Sequence, residues 1–370
     1  MIKKYHCIIP HNSNGVKMAN IQYESFSKVN LQDTFFDSLR QDYQGFDNWY
    51  NKKASQGEKA YILYEENKLV CFLYLKEENP IDNTGITPPL DSAKSWIKVG
   101  TFKVIPHRTK LGERLIKRMF DFAISKNIFN LYLTIFSKHK ALINLLEQYG
   151  FKQWGNKGDE LVLIKNIATT SKEMQQNICL DFPSINTKNV SKYILGIYPQ
   201  YHTGMFSDSM LKTENFNILQ DSSVANSIHK VYIAKIQGIE NLKRGDLIVI
   251  YRTKDEKASN ANYSSVATSL CVVEEYRHIS SFTEEEFIEY CKPHSIFTEV
   301  QLKQYYKSKQ YPKIIKMTYN ISFKKRVILD TLRGIVKRES EPYWGFVSLN
   351  DDEFQQILKA GGVNESIIIH

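Results

Sequence analysis

The chain reads as a mixed α/β sheet domain with flanking helices, followed by a mainly-β barrel domain. Its 370 residues are about twice the usual length of one domain. Strand and helix periods alternate up to about residue 166, and beyond residue 190 short β-rich runs dominate. A composition of 42% hydrophobic and 24% charged residues is that of a globular chain, which excludes fibrous and disordered classes.

The elements follow in order. KAYILYEE and NKLVCFLYLKEE form a hairpin turning at Glu66-Asn67, and the Pro- and Gly-containing ENPIDNTGITPPLDS is a loop. WIKVGTFKVI, from Trp96 to Ile105, is a strand. In TKLGERLIKRMFDFAISKN, Leu111, Leu115, Ile116, Met119, Phe122 and Ala123 recur at spacings of three and four, which predicts an amphipathic helix capped by Thr109. NLYLTIF is a strand, KALINLLEQYG a short helix stopped at Gly150, and DELVLIKNI a further strand. The predicted order is β-β-β-α-β-α-β, which places the first domain at 1–166.

Residues 167–190 are polar and aperiodic, so they are expected to be an exposed connector that proteases cut first, with the second domain spanning 191–370. That domain contains KYILGIYP, HKVYIAKI, DLIVIYRT, SVATSLCVVEEYRH and KIIKMTYNISF as strands. TEEEFIEYCKP is a helix started by a Thr283–Glu286 capping box. Many strands with few helices suggest a closed or half-closed barrel.

No run approaches the 18 or so apolar residues of a membrane span, and the N-terminus lacks the apolar stretch of a signal peptide. The five cysteines are odd in number and at least twenty residues apart. Neither a disulfide framework nor a locally spaced metal site is expected, and the chain reads as a cytoplasmic protein with reduced thiols.

Charge is unevenly distributed. Residues 1–100 carry 12 basic and 12 acidic side chains, residues 101–150 carry 9 and 3, and residues 301–340 carry 11 and 2. The second basic stretch interleaves Tyr305, Tyr306, Tyr311, Tyr319 and Phe323 among its cations. Each half thus offers a place for an anion, a nucleic acid included, although a charge run also serves simply as a solvated face.

The strongest chemical signal is the strand-turn-helix junction TFKVIPHRTKLGERLIKRMFDFA. A helix N-terminus holds phosphate through free N–H groups and its dipole. Gly112 lies in the predicted first turn, with His107, Arg108 and Lys110 around it. Gly112 alone also fits a tolerated helix glycine.

From Thr101 to Phe151 this sequence resembles the acetyl-CoA-binding core of the GNAT N-acetyltransferase superfamily, with the element order matching over roughly residues 20–166. Lys110 falls on the first glycine of the family's turn, Gly112 on the second and His107 on the Arg/Gln position. Gln148 to Phe151 fits the family's GF ending, with His139 at its Asn position and Leu146 where many members carry a tyrosine acid. The resemblance implies acetyl-CoA as cofactor, held by Phe102, Val104, His107, Arg108, Thr109, Lys110, Leu111, Gly112, Glu113 and His139. It also implies that the strand 96–105 supplies backbone hydrogen bonds to the pantetheine. With Leu146 at the acid position, Tyr149 and Tyr132 are the nearby alternatives, although a buried tyrosine beside GF is more often core. Neither a catalytic acid nor a base is identified; Glu77 and Glu78 are too weakly placed. His139 also fits a solvated turn residue.

YPQYHTGMF, NLKRGDLIVIYRT and the strand after them resemble the PUA-like superfamily, including ASCH and EVE modules. That resemblance implies a barrel that takes RNA or a modified base, lined by Tyr198, Tyr201, His202 and Arg252, with Lys324, Lys325 and Arg326 adding backbone contacts. Tyr198 and Tyr201 fit barrel core equally well. Two functions follow as expectations. One is an N-acetyltransferase acting on an amine, nucleic-acid-linked or free. The other is a nucleic-acid or modified-base binder whose first domain senses the cofactor or is catalytically weak.

Overall fold

The computed structural model describes residues 21–105, 110–206, 227–254, 264–338, 340 and 343–370. The described residues begin with β1 (Gln22–Ser25) and two short helices, α1 (Asp37–Asp42) and α2 (Phe46–Ser55). Phe26, Phe35, Phe36, Phe46 and Tyr50 bury themselves here against one face of the hairpin β2 (Lys59–Glu65) and β3 (Lys68–Glu78). The hairpin turns where expected: Glu66 and Asn67 take φ of 48° and 62°, the left-handed pair that matches strand twist.

Next come β4 (Ile86–Thr87), β5 (Trp96–Val104), α3 (Leu111–Lys126), β6 (Asn130–Phe136), α4 (Lys140–Gln148), β7 (Lys152–Lys157) and β8 (Glu160–Asn166). The eight strands form one mixed sheet in the order β1-β2-β3-β5-β6-β8-β7-β4, in which only β5 and β6 run parallel, joined by α3. Leu115, Ile116, Met119 and Ala123 bury the apolar stripe of α3 against that sheet.

The stretch 167–190 departs from the expected exposed connector. It contains α5 (Ile178–Asp181) and β9 (Ile185–Asn186), and Phe182 and Ile185 are buried. Phe182 packs on Phe120 and Tyr149, the Lys165 ammonium donates to the Leu180 carbonyl at 2.8 Å, and β9 pairs in parallel with β16 (Ile368–Ile369) at the far end of the chain. Sparse apolar residues without a period suffice when a segment is seated between two bodies rather than on one.

Beyond it lie β10 (Lys192–Ile197), α6 (Pro199–Met205), β11 (His229–Ala234), β12 (Leu247–Arg252) and β13 (Val266–His278). They are followed by α7 (Glu284–Cys291), α8 (Glu299–Ser308), β14 (Lys313–Ile328), α9 (Leu329–Ile335), β15 (Phe346–Leu349) and α10 (Asp351–Gly361). The Thr283–Glu286 box starts α7 as predicted, with both reciprocal bonds formed.

The six strands are ordered β11-β14-β13-β12-β10-β15. Among the described residues β11 pairs only with β14 and β15 only with β10, so the sheet is open and the expected barrel does not close. Three register shifts between β13 and β14 curl the sheet instead. The basic stretch 301–340 is likewise no single face: it is divided among α8, β14 and α9, and its Tyr319 and Phe323 are buried core residues.

Candidate active site

β5 and β6 pair for three rungs only, Trp96 with Asn130, Ile97 with Leu131 and Lys98 with Tyr132. After Lys98 they part. A cavity of about 1100 Å³ opens between them, lined by Val99–Val104 on one side and Leu133–Ile135 on the other. Along this stretch β5 keeps its pairing to β3, so its β6-facing backbone edge is bonded to no strand. Unpaired strand groups are obligatory donors and acceptors, and a linear amide-bearing ligand satisfies them as another strand would.

The parting has a local cause in Gly100. Tyr74 pairs with Thr101 and Leu75 with Val99, which leaves Gly100 as the extra residue of a β-bulge immediately beyond the last rung to β6. A Cβ at Gly100 would stand 2.6 Å from the Tyr74 ring, so the bulge is possible because the residue has no side chain. A glycine inside an otherwise strong strand pattern is the sequence signal for such a bend.

The first turn of α3 closes one end of the cavity. Its cap position falls to Lys110, whose φ of 53° and ψ of 32° lie in the left-handed region, with no side-chain cap bond. Thr109, expected there, lies outside the described residues, as do His107 and Arg108. A left-handed non-glycine residue costs about 1–2 kcal/mol, so the backbone here has the shape a glycine would take without cost. A Cβ at Gly112 would stand 2.7 Å from Leu145 Cδ2, the tip of a side chain that itself lines the cavity. Of the other expected cofactor residues, Phe102, Val104, Leu111, Glu113 and His139 are at the lining. Glu113 is buried and meets Lys110 at 3.3 Å.

His139 is tied down by a carboxylate. Its Nε2 donates to Asp42 Oδ2 at 2.9 Å, and Lys138 pairs with the other oxygen. Burial works to raise the Asp42 carboxyl, but the bonds from Lys138 and His139 outweigh it and hold the group below the usual carboxylate range. Tyr43 joins this wall and donates to Glu160 at 2.7 Å. Asp42 and Tyr43 were not legible in sequence as site residues, because α1 and α2 are too short to show a period.

Neither tyrosine suggested as an acid lines the cavity. The Tyr132 hydroxyl donates to Glu78 at 2.6 Å, and Tyr149 is buried with its hydroxyl 3.0 Å from His229 Nε2. Leu146 is fully buried. Glu77 pairs with Lys126 at 2.6 Å. The cavity wall also carries Lys98, Lys103, Lys138 and Lys140. Burial pulls the Lys98 ammonium below its ordinary value against the attraction of Glu78.

The second group of expected site residues is split. His202 is fully buried, its Nε2 2.8 Å from the Thr268 hydroxyl, and burial with the nearby Arg252 and Arg326 pushes its pKa down to about 3. Arg326 donates to the carbonyls of Phe323 and Thr268, and Arg252 is buried. Tyr198 stands apart at 65% exposure, and Tyr201 packs on Phe297. Lys324 and Lys325 are exposed beside Gly362, the cap that ends α10, where cations favour the negative helix end.

No family model matches the chain, and no curated protein matches it in sequence. Similar solved structures include ASCH and N-acetyltransferase chains. ASCH from Zymomonas mobilis is 12% identical, covering 45% of this chain and 94% of its own, at a TM-score of 0.29. The Bacillus subtilis N-acetyltransferase YlbP, in complex with coenzyme A, is 15% identical over 40% of this chain and 97% of its own, at 0.27. The Campylobacter jejuni N-acetyltransferase PseH, in complex with acetyl coenzyme A, is 11% identical over 40% and 99%, at 0.27. No helix among the described residues is long and apolar enough to cross a membrane.

Proposed function

We propose that the chain transfers an acetyl group from acetyl-CoA to an amine acceptor in the cavity between β5 and β6. The parting of these strands after Lys98 carries the reading, because it leaves a backbone edge of hydrogen-bonding groups along a cavity with five lysines at its wall. The residues fit such a ligand. The β5 edge from Val99 to Val104 suits the amides of a pantetheine arm, and the first turn of α3 with Lys110 and the wall lysines suits a diphosphate. Bound there, acetyl-CoA would supply an activated acetyl thioester. The β5 N–H groups would then polarise its carbonyl, and the Asp42–His139 pair would take the proton that the incoming amine loses. Leaving-group protonation falls to water or Tyr43, since Leu146 has no acid. By the same reading residues 1–166 are the catalytic domain and 191–370 a second domain, joined through the seated stretch 167–190.

The test is thiol release from acetyl-CoA in the presence of a panel of small amines, aminoacyl esters and RNA-linked amines. Release that depends on one class of amine supports the reading. No amine-dependent release across the panel, from protein that binds acetyl-CoA, would sink it.

A second reading concerns the other sheet. Tyr198 and Tyr343 are 65% and 72% exposed, and the Tyr343 hydroxyl is raised first by burial and then by Tyr198. Exposed aromatic rings suit base stacking, worth about 1–3 kcal/mol per base. This favours a single-stranded nucleic acid as the partner that brings the amine. Fluorescence titration with a short RNA should then weaken at high salt and on Tyr198→Ala; an identical titration for the variant removes this reading.

A further inference from the structure

A second constellation lies away from the cavity, where the seated stretch meets both sheets. Cys179 of α5, His229 of β11 and Glu274 of β13 bring a sulfur, an imidazole nitrogen and a carboxylate oxygen within 4.8 Å of one another. They come from positions up to 95 residues apart, so no spacing motif could announce them. His229 Nδ1 stands 2.6 Å from Glu274 Oε1, and Lys316 lies 3.3 Å from Oε2.

Two further observations point to a missing partner. The His294 ring, 5.4 Å from His229 centre to centre, is 8% exposed and its Nδ1 has no hydrogen-bond partner. Glu113, also 8% exposed, bonds Lys110 through Oε1 and leaves Oε2 buried without a partner; its charge is felt at both Tyr149 and Cys179. An unsatisfied buried polar atom costs about 1–3 kcal/mol. With them, a thiol, a second imidazole and a second buried carboxylate leave one more coordinating centre to be supplied.

We infer that Cys179, His229 and Glu274 form a binding site for a zinc-type divalent ion that fixes the seated stretch to the second sheet. Thiol, imidazole and carboxylate together are the donor set of a borderline-soft cation rather than of magnesium or calcium. The size is right: donor bonds of about 2.0–2.3 Å at tetrahedral angles set donors roughly 3.3–3.7 Å apart, inside the observed spread. Binding replaces the His229–Glu274 hydrogen bond by a shared ion, and the thiol proton passes to solvent as the thiolate coordinates. His294, whose ring centre stands 5.4 Å from that of His229, is a further donor available for a fourth position.

The experiment uses full-length protein purified with a chelator, dialysed and titrated with cobalt(II), whose thiolate coordination gives a charge-transfer absorption band in the near ultraviolet. The site predicts that band saturating at one equivalent, zinc displacing cobalt, and a zinc-dependent rise in melting temperature. Cys179→Ser should remove the band, and His229→Gln should weaken cobalt binding at least tenfold. Folded wild-type protein without the band, or an equal band in Cys179→Ser, overturns the inference.

Discussion

Asp42 accepts a hydrogen bond from His139 at 2.9 Å across 97 residues of sequence, which joins the short N-terminal helix α1 to the cap of α4 at the wall of the cavity. The pair gives the cavity an imidazole held in one orientation by a buried carboxylate. Asp42→Asn keeps the shape and removes the charge. Acetyl transfer should fall about 100-fold, the scale of one lost acid-base group, while acetyl-CoA affinity measured by calorimetry stays within threefold. A parallel loss of affinity would make the pair a binding element.

The two glycines of the site should respond differently. Gly100→Val drives a side chain into the Tyr74 ring, so unfolding free energy should drop by about 1–3 kcal/mol, as for other overpacked cores, and acetyl-CoA binding should fall with it. Gly112→Val meets only the tip of Leu145, which can swing into the cavity. Its melting temperature should move little while acetyl-CoA affinity drops at least tenfold. Unchanged affinity in that variant would put the ligand away from α3.

Lys165 makes stability depend on pH. Burial pulls its ammonium down to about 7, against the attraction of Asp181. Unfolded, the amine keeps its proton to about pH 10.4. Between the two values the unfolded chain binds more protons, so stability rises with pH there, by at most about 1.4 kcal/mol per unit, and the proton's cost is fully present below pH 7. Urea unfolding of wild type and Lys165→Met from pH 6 to 9.5 should show the steeper rise in wild type. Parallel profiles would mean that Lys165 keeps its ordinary value.

Because Phe182 is buried against Phe120 and Tyr149, the stretch 167–190 should resist limited proteolysis. Phe182→Ala should cost about 3–5 kcal/mol and expose the segment to trypsin. Early cleavage there in wild type would show that the stretch detaches in solution.

What was legible in sequence was what local physics decides. The Glu66-Asn67 turn, the stripe of α3 and the Thr283 box each depend on neighbours a few residues away, and each forms as read. The departures come from longer range. Phe26, Phe35 and Phe36 sit in pieces too short for a period, so the wall carrying Asp42 and Tyr43 stayed hidden. β7 is mostly exposed and polar, with no apolar alternation to announce it. Barrel closure depends on whether β11 meets β15, which no single strand's composition records. Gly100 was visible in WIKVGTFKV, but its meaning appeared only with Tyr74 beside it.

Isothermal titration of the full-length protein with acetyl-CoA decides whether the cavity between β5 and β6 is a cofactor site. The parted strands predict one molecule bound per chain, with affinity lost in Gly112→Val. Absence of heat with both acetyl-CoA and CoA at high micromolar concentration, from protein shown to be folded, would contradict it.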